Sequence, residues 1–269
     1  PVTRFFIAFF VMVGALMFLG CPFRMVLRLA GGDLNAVVGL IGFVVGIAAG
    51  VFFLKNGYSL KRTYKQTMVE GLSLPIVQIV LLILLVSAPA FIFFTAEGPG
   101  AKHAAVIYSL GAGLIVGALA QYTRLCMVGG FRDIILFREP KLLIGFCMIF
   151  LTALIGNLIF GKFHLGFADQ PVAHTDSLWN FLGMVLAGLG CTMLGGCPLR
   201  QMVMAGEGNA DSAVSYLGLL VGAAFCHNFG LAASGKGPTP NGKIAVIIGL
   251  VVLVCIAFMN TFGKKEERS

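Results

Sequence analysis

Charge is scarce in this chain. Only 11% of its 269 residues are Asp, Glu, Lys or Arg while 58% are hydrophobic, which leaves too little polar surface to coat a soluble globule of that length. No Cys-x-x-Cys pair and no Cys/His zinc spacing occur, and the seven cysteines are odd in number, so neither a structural zinc site nor a disulfide framework is expected. A phosphate-binding P-loop is also missing, so the chain does not itself hydrolyse ATP. Nothing in the residue pattern calls for a cofactor or a metal. There is no signal peptide with a charged start and cleavage site, and the chain opens on Pro1 rather than methionine, as expected where the natural start lies upstream.

What is present is a series of long apolar runs. Stretches able to cross about 30 Å of hydrocarbon lie near 5–20, 34–54, 72–95, 104–121, 142–161, 177–195, 212–233 and 244–262. They predict an all-α polytopic membrane protein with about eight transmembrane helices, surrounded by lipid. The 36 glycines, spread through the apolar runs, suit close helix contacts in a bilayer. Lys55, Lys61, Arg62 and Lys65 in one loop, and Lys264, Lys265 and Arg268 in the tail, place both segments on the cytoplasmic side. The formal charge of +8 fits this bias, and nucleic acid is not an expected partner.

The tract Gly20-Cys21-Pro22-Phe23-Arg24 returns 176 positions later as Gly196-Cys197-Pro198-Leu199-Arg200. The echo continues at the same offset, with Gly32, Val38, Gly42, Val45, Gly46 and Ala48 matching Gly208, Val214, Gly218, Val221, Gly222 and Ala224. Five predicted spans separate the two tracts, an odd number, so the copies are related by inversion, a symmetry common in secondary transporters. On this reading 1–95 belongs to a first inverted half that is incomplete at its N-terminus, and 96–269 is the second. After each tract comes an apolar stretch too short to span, Pro22 to Gly31 and Pro198 to Gly206, read as re-entrant half-helices with proline at the first helical position.

A helix N-terminus carries unpaired N–H groups and a partial positive charge, so each half-helix offers an anion site, and a cysteine there gains thiolate character. A third interrupted tract, Arg124-Leu125-Cys126-Met127-Val128-Gly129-Gly130-Phe131-Arg132-Asp133, follows span 104–121. It reads either as part of the path or as a cytoplasmic loop in which Arg132 and Asp133 pair with each other or with Arg138 and Glu139. Three thiols on a membrane path suit a soft sulfur or selenium solute better than a hard ion. Arg24 and Arg200 either bind that solute as an anion or satisfy helix-end carbonyls and pair with Asp33 and Asp211. His227 and Asn228 fall inside span 212–233 and are expected to bond between helices or touch the solute. Cys147, Cys191 and Cys255 read as small apolar fillers, and His103, His164 and His174 as solvated loop residues.

These motifs, GCPFRMVLRLAGGDLNA from Gly20, RLCMVGGFRD from Arg124, GGCPLRQMVMAGEGN from Gly195 and HNFGLAASGKGPTPNGK from His227, resemble the YeeE/YedE membrane proteins over essentially the whole chain. The resemblance is closest to the YedE-like proteins of selenium metabolism. It implies a transporter or channel, not an enzyme, in a bacterial or archaeal cytoplasmic membrane. In it Cys21, Cys126 and Cys197 line a narrow passage for thiosulfate or another small sulfur or selenium compound. Family members carry a further cysteine-containing segment ahead of the position where this chain begins, which would reduce a 5+5 arrangement to 3+5. Two other readings stand beside it: a membrane thiol relay through Cys191 and Cys197, and a scaffold for a cytosolic sulfur or selenium carrier protein.

The inversion has a direct test. A membrane-impermeant thiol reagent applied from outside is expected to label cysteines introduced near Asp33, while those near Asp211 react only from the cytoplasm. Labelling of both from one face would rule the inversion out.

Overall fold

The computed structural model describes residues 1–60, 68–87 and 104–262. All regular structure among them is helical: α1 Val2–Phe18, α2 Pro22–Ala30, α3 Leu34–Lys55, α4 Met68–Ser87, α5 Val106–Thr123, α6 Met127–Phe137, α7 Lys141–Ile159, α8 Ser177–Leu194, α9 Pro198–Gly206, α10 Ala210–Asn228 and α11 Pro240–Thr261. Among the described residues seven segments are long and apolar enough to cross a membrane, and α4 adds a shorter apolar stretch. Lys61, Arg62, Lys65, positions 88–95, the boundary at 95/96, His103, Lys264, Lys265 and Arg268 lie outside the described residues. The span predicted over 212–233 ends earlier, at Asn228, because Gly230 takes a left-handed turn with φ 63°.

The duplication survives in the backbone to the residue. α1 and α8 end at Phe18 and Leu194, α2 and α9 run Pro22–Ala30 and Pro198–Gly206, and α3 and α10 begin at Leu34 and Ala210, each pair 176 positions apart. Both short helices carry proline in the first turn, where its missing N–H costs no hydrogen bond.

Glycines set how the two copies meet. A Cβ at Gly14 of α1 would strike Gly183 and Ala187 of α8, and one at Gly190 would strike Val11 and approach Ile7, so α1 and α8 run antiparallel. The same offset exchanges Ile7 with Gly183 and Gly14 with Gly190, which makes this crossing a pseudo-two-fold. Its axis passes near Val11 and Met12 of α1 and their counterparts Ala187 and Gly188 of α8. The outer helices then cross over. α3 lies along α8, where a Cβ at Gly42 or Gly46 would hit the carbonyl of Phe181 or Val185, and α10 lies along α1, where one at Gly218 or Gly222 would hit the carbonyl of Phe5 or Phe9. Those pairs too are related by the offset, so the matching glycines of the sequence are the seats of one interface built twice.

Water supplies no drive for helices to associate within hydrocarbon, so close van der Waals contact between small residues carries the association. The fully buried side chains Phe18, Phe43, Met17, Met184, Leu186 and Leu189 fill the space around these contacts. α5 and α7 pack more loosely, with Ala120 and Phe146 as their buried residues.

Gly46→Leu and Gly222→Leu are each expected to destabilise the detergent-solubilised protein by about 1–3 kcal/mol or more, the usual cost of overpacking. Gly113→Leu, where an added Cβ meets nothing within 4 Å, is expected to be near neutral. Thermal unfolding that does not separate the first two variants from the third would refute the glycine seats.

Candidate functional site

A transmembrane helix that stops within the bilayer has to satisfy its last carbonyls and aim the chain into the next segment. Here this is done three times by one backbone device. After α1, α5 and α8 a single residue turns left-handed: Leu19 at φ 62°, Arg124 at φ 52° and Gly195 at φ 81°. The next residue, Gly20, Leu125 or Gly196, donates its N–H back to Ala15, Ala120 or Cys191 at 2.8–3.0 Å. A cysteine follows as the extended N-cap of a short helix: Cys21 before α2, Cys126 before α6 and Cys197 before α9. The left-handed turn is a common helix stop, usually given to glycine. Leu19 and Arg124 adopt it at a steric cost of about 1–2 kcal/mol, a kind of strain that clusters at functional sites.

The third tract is therefore neither a loop nor a lesser feature. It is a half-helix of the same design, and the loop reading of Arg132 and Asp133 is corrected by α6. The sequence hid it because Met127 stands where the other two tracts have proline and Leu125 where they have glycine. Arg132 and Asp133 do pair, at 2.8 Å, and Arg132 also donates to the Gly195 carbonyl at 3.3 Å, tying α6 to the end of α8.

The N-cap thiols converge. Cys126 accepts the Gly129 N–H at 3.4 Å, and its thiol lies against that of Cys197. Both are buried, 6% and 1% exposed, whereas Cys21 is half-buried on the α2 side. Cys191, fully buried in α8, has Cys21, Cys126 and Cys197 in its electrostatic surroundings. All seven cysteines are free thiols. Cys147 and Cys255 sit on exposed helix faces, so the filler reading holds for Cys191 and fails for them.

The orphan carbonyls of α1 and α8 are met differently in the two copies. Gln201 Nε2 donates to the Leu194 carbonyl at 3.1 Å. At the equivalent Phe18 carbonyl the donor is Arg28 Nη1, at 2.6 Å, and the same guanidinium pairs with Asp33 at 2.7 Å and stacks on the Phe18 ring at 4.1 Å. Asp33 in turn caps α3 through the Asn35 N–H at 2.9 Å. This buried network corrects the pairing expected for Arg24: Asp33 is taken by Arg28, one turn further along α2 and nearer to it. Asp211 is taken by Arg4 at 3.0 Å rather than by Arg200. Arg24 is exposed, its stem against Gly20. Arg200 lies 3.6 Å from Glu207 and 3.5 Å from Gln121.

Two histidine readings change as well. His164 is exposed as expected, but His174 is 2% exposed, with Nε2 at 2.8 Å from the Met17 carbonyl and Nδ1 accepting the Asp176 N–H. Those partners fix a neutral ring with its proton on Nε2. His227 and Asn228 close α10 on an exposed face, where Asn228 bonds to Ala224 of its own helix rather than to a neighbouring one. Sequence reasoning missed Arg28, Gln121, Gln201, His174 and Glu207. Arg28 alone left a signal, a second basic residue one turn beyond Arg24 in a segment otherwise apolar.

A family model described as sulphur transport matches residues 122–262, more than half of the chain, including Cys126 and Cys197. The chain belongs to this family. It is similar to the thiosulfate transporter TsuA of Escherichia coli (strain K12), 24% identical over 116 residues. That alignment takes in 43% of this chain and spans about a third of the relative's length, 32%.

Burial holds the His174 ring below the ordinary histidine pKa. Its stabilising contribution is therefore complete above the unfolded value of about 6.5 and is lost as pH falls below it, because the unfolded chain then binds the proton more readily. Thermal unfolding is expected to weaken from pH 7.5 to pH 5.5 in the unaltered protein and less so in His174→Gln. Equal pH dependence in the two would remove His174 from the account.

Proposed function

We propose that the protein imports a small sulfur- or selenium-containing anion across a bacterial or archaeal cytoplasmic membrane, along a path bordered by Cys21, Cys126 and Cys197. The observation that carries this reading is the meeting of the Cys126 and Cys197 thiols, each at the N-terminus of a different broken helix. Two helix starts then bring their N–H groups and partial positive charge to one place, and the thiols at their N-caps add soft, polarisable groups. An oxyanion with a terminal sulfur or selenium atom matches both, since its oxygens suit the N–H groups and its soft atom suits the thiols.

Membership of the sulphur transport family and the similarity to a thiosulfate transporter support a sulfur compound as cargo. Thiosulfate, with its terminal sulfur, is the first candidate; selenite, whose selenium is central, matches the N–H groups and is the second. Pro22 and Pro198 hold the two short helices at their first turns, and Gly20 and Gly196 admit the arginine stems, whose atoms lie 3.0 and 3.3 Å from where a Cβ would sit. Arg132 and Asp133 brace the α6 start. The pseudo-two-fold puts Phe18 and Leu194 six or seven residues to either side of the axis, about 10 Å along each helix. Cys21 and Cys197 would thus be two stations, one toward each face of the membrane.

Uptake of radiolabelled thiosulfate and selenite by cells lacking other importers tests the reading. Cys21→Ala, Cys126→Ala and Cys197→Ala are each expected to cut uptake at least about tenfold, equivalent to roughly 1.4 kcal/mol, at unchanged membrane abundance. Cys255→Ala, on an exposed face, is expected to be silent. Full uptake in all the cysteine variants would sink the thiol path.

A further inference from the structure

The two copies of the site share a thiol, a helix start and an arginine, and beyond the Arg28–Asp33 network of the first copy they differ in the charge beside that arginine. Arg200 stands at the third position of α9, three residues past Cys197, and its Nη1 lies 3.6 Å from Glu207 Oε1. Glu207 is the residue that ends α9, two turns further on. In the first copy Arg24 holds the same place on α2, but the residue equivalent to Glu207 is Gly31. The next carboxylate along that copy, Asp33, is buried and committed to Arg28 and the α3 cap.

We propose that Glu207 is a built-in competitor of the transported anion, a carboxylate that reclaims Arg200 and so makes the α9 end of the path the end of release. The proposal rests on the reading of the protein as an anion importer. Its pairing with Arg200 is loose: the contact is long, Glu207 is 35% exposed, and Gln121 Oε1 shares the guanidinium at 3.5 Å. A pair of this kind contributes about 0.2–1 kcal/mol, enough to discourage occupancy and too little to forbid it. An anion arriving at Arg200 has to displace the carboxylate, so its apparent affinity falls by the fraction of arginine already engaged. No carboxylate of α2 competes at Arg24. The anion then meets a tighter station at the α2 end, predicted to face outward, and a weaker one at the α9 end, predicted to face the cytoplasm.

Glu207→Gln keeps the size and the hydrogen-bonding capacity and removes the charge. In protein reconstituted into vesicles, with radiolabelled thiosulfate as probe, this variant is expected to bind about two- to fivefold more tightly, the ratio that 0.2–1 kcal/mol gives at its upper range. Its maximal uptake rate is expected to fall together with its half-saturation concentration, a paired change that a purely structural role for Glu207 would not produce. In an Arg200→Gln background the same substitution is expected to change neither quantity, because its effect runs through the arginine. Unchanged binding and rate in Glu207→Gln, beside an active unaltered protein, would overturn the competitor role and leave the transport reading intact. If the unaltered protein neither binds nor carries thiosulfate or selenite, the importer reading falls and the competitor role falls with it.

Discussion

A helix interrupted inside hydrocarbon exposes carbonyl oxygens where no water can reach them, and the rest of this structure depends on how those oxygens are met. At the end of α8 the donors are Gln201 and Arg132; at the end of α1 they are Arg28 and His174. Each donor comes from another segment, so satisfying the break also ties segments together. Arg132 holds α6 to α8, and His174 brings the chain between α7 and α8 down onto α1. The cysteines gain their position from the same requirement. They follow the break by a fixed three-residue path, and any change in how the carbonyls are met would move the thiols.

Much of this was legible in the residues. The repeated Gly-Cys-Pro-x-Arg tract marked both short helices, because a proline after a polar break in an apolar run has one comfortable place, the first helical turn. The matched glycines at 42, 46, 218 and 222 were visible as a pattern, although their purpose was not. A glycine in an apolar run says that something comes close without saying what, and the carbonyls of Phe181, Val185, Phe5 and Phe9 appear only once the copies are packed. Cys126 was legible as a cysteine at an interrupted helix, but not as the third use of one backbone turn, since Leu125 stands where the other two tracts have glycine.

Partner choice among the charges was the least legible part. Arg24 and Arg28 lie one turn apart, and which of them reaches Asp33 depends on the few residues between the end of α2 and the cap of α3. His174 carries no sign in the sequence that it will be buried. The aqueous loop expected around it is bound to the end of α2 instead, through the His164 and Leu34 N–H groups. Side chains that reach across segments far apart in the chain are set by the packing, and composition carries no trace of them.

The crossing of α1 and α8 also fixes where the two breaks lie relative to one another. Gly14 and Gly183 bring the two backbones together close to the pseudo-two-fold axis, while the ends that carry Cys21 and Cys197 lie on opposite sides of it. The two cysteine-bearing ends therefore lie at about equal distances from the axis, and a substitution that shifts the crossing would be felt by both alike.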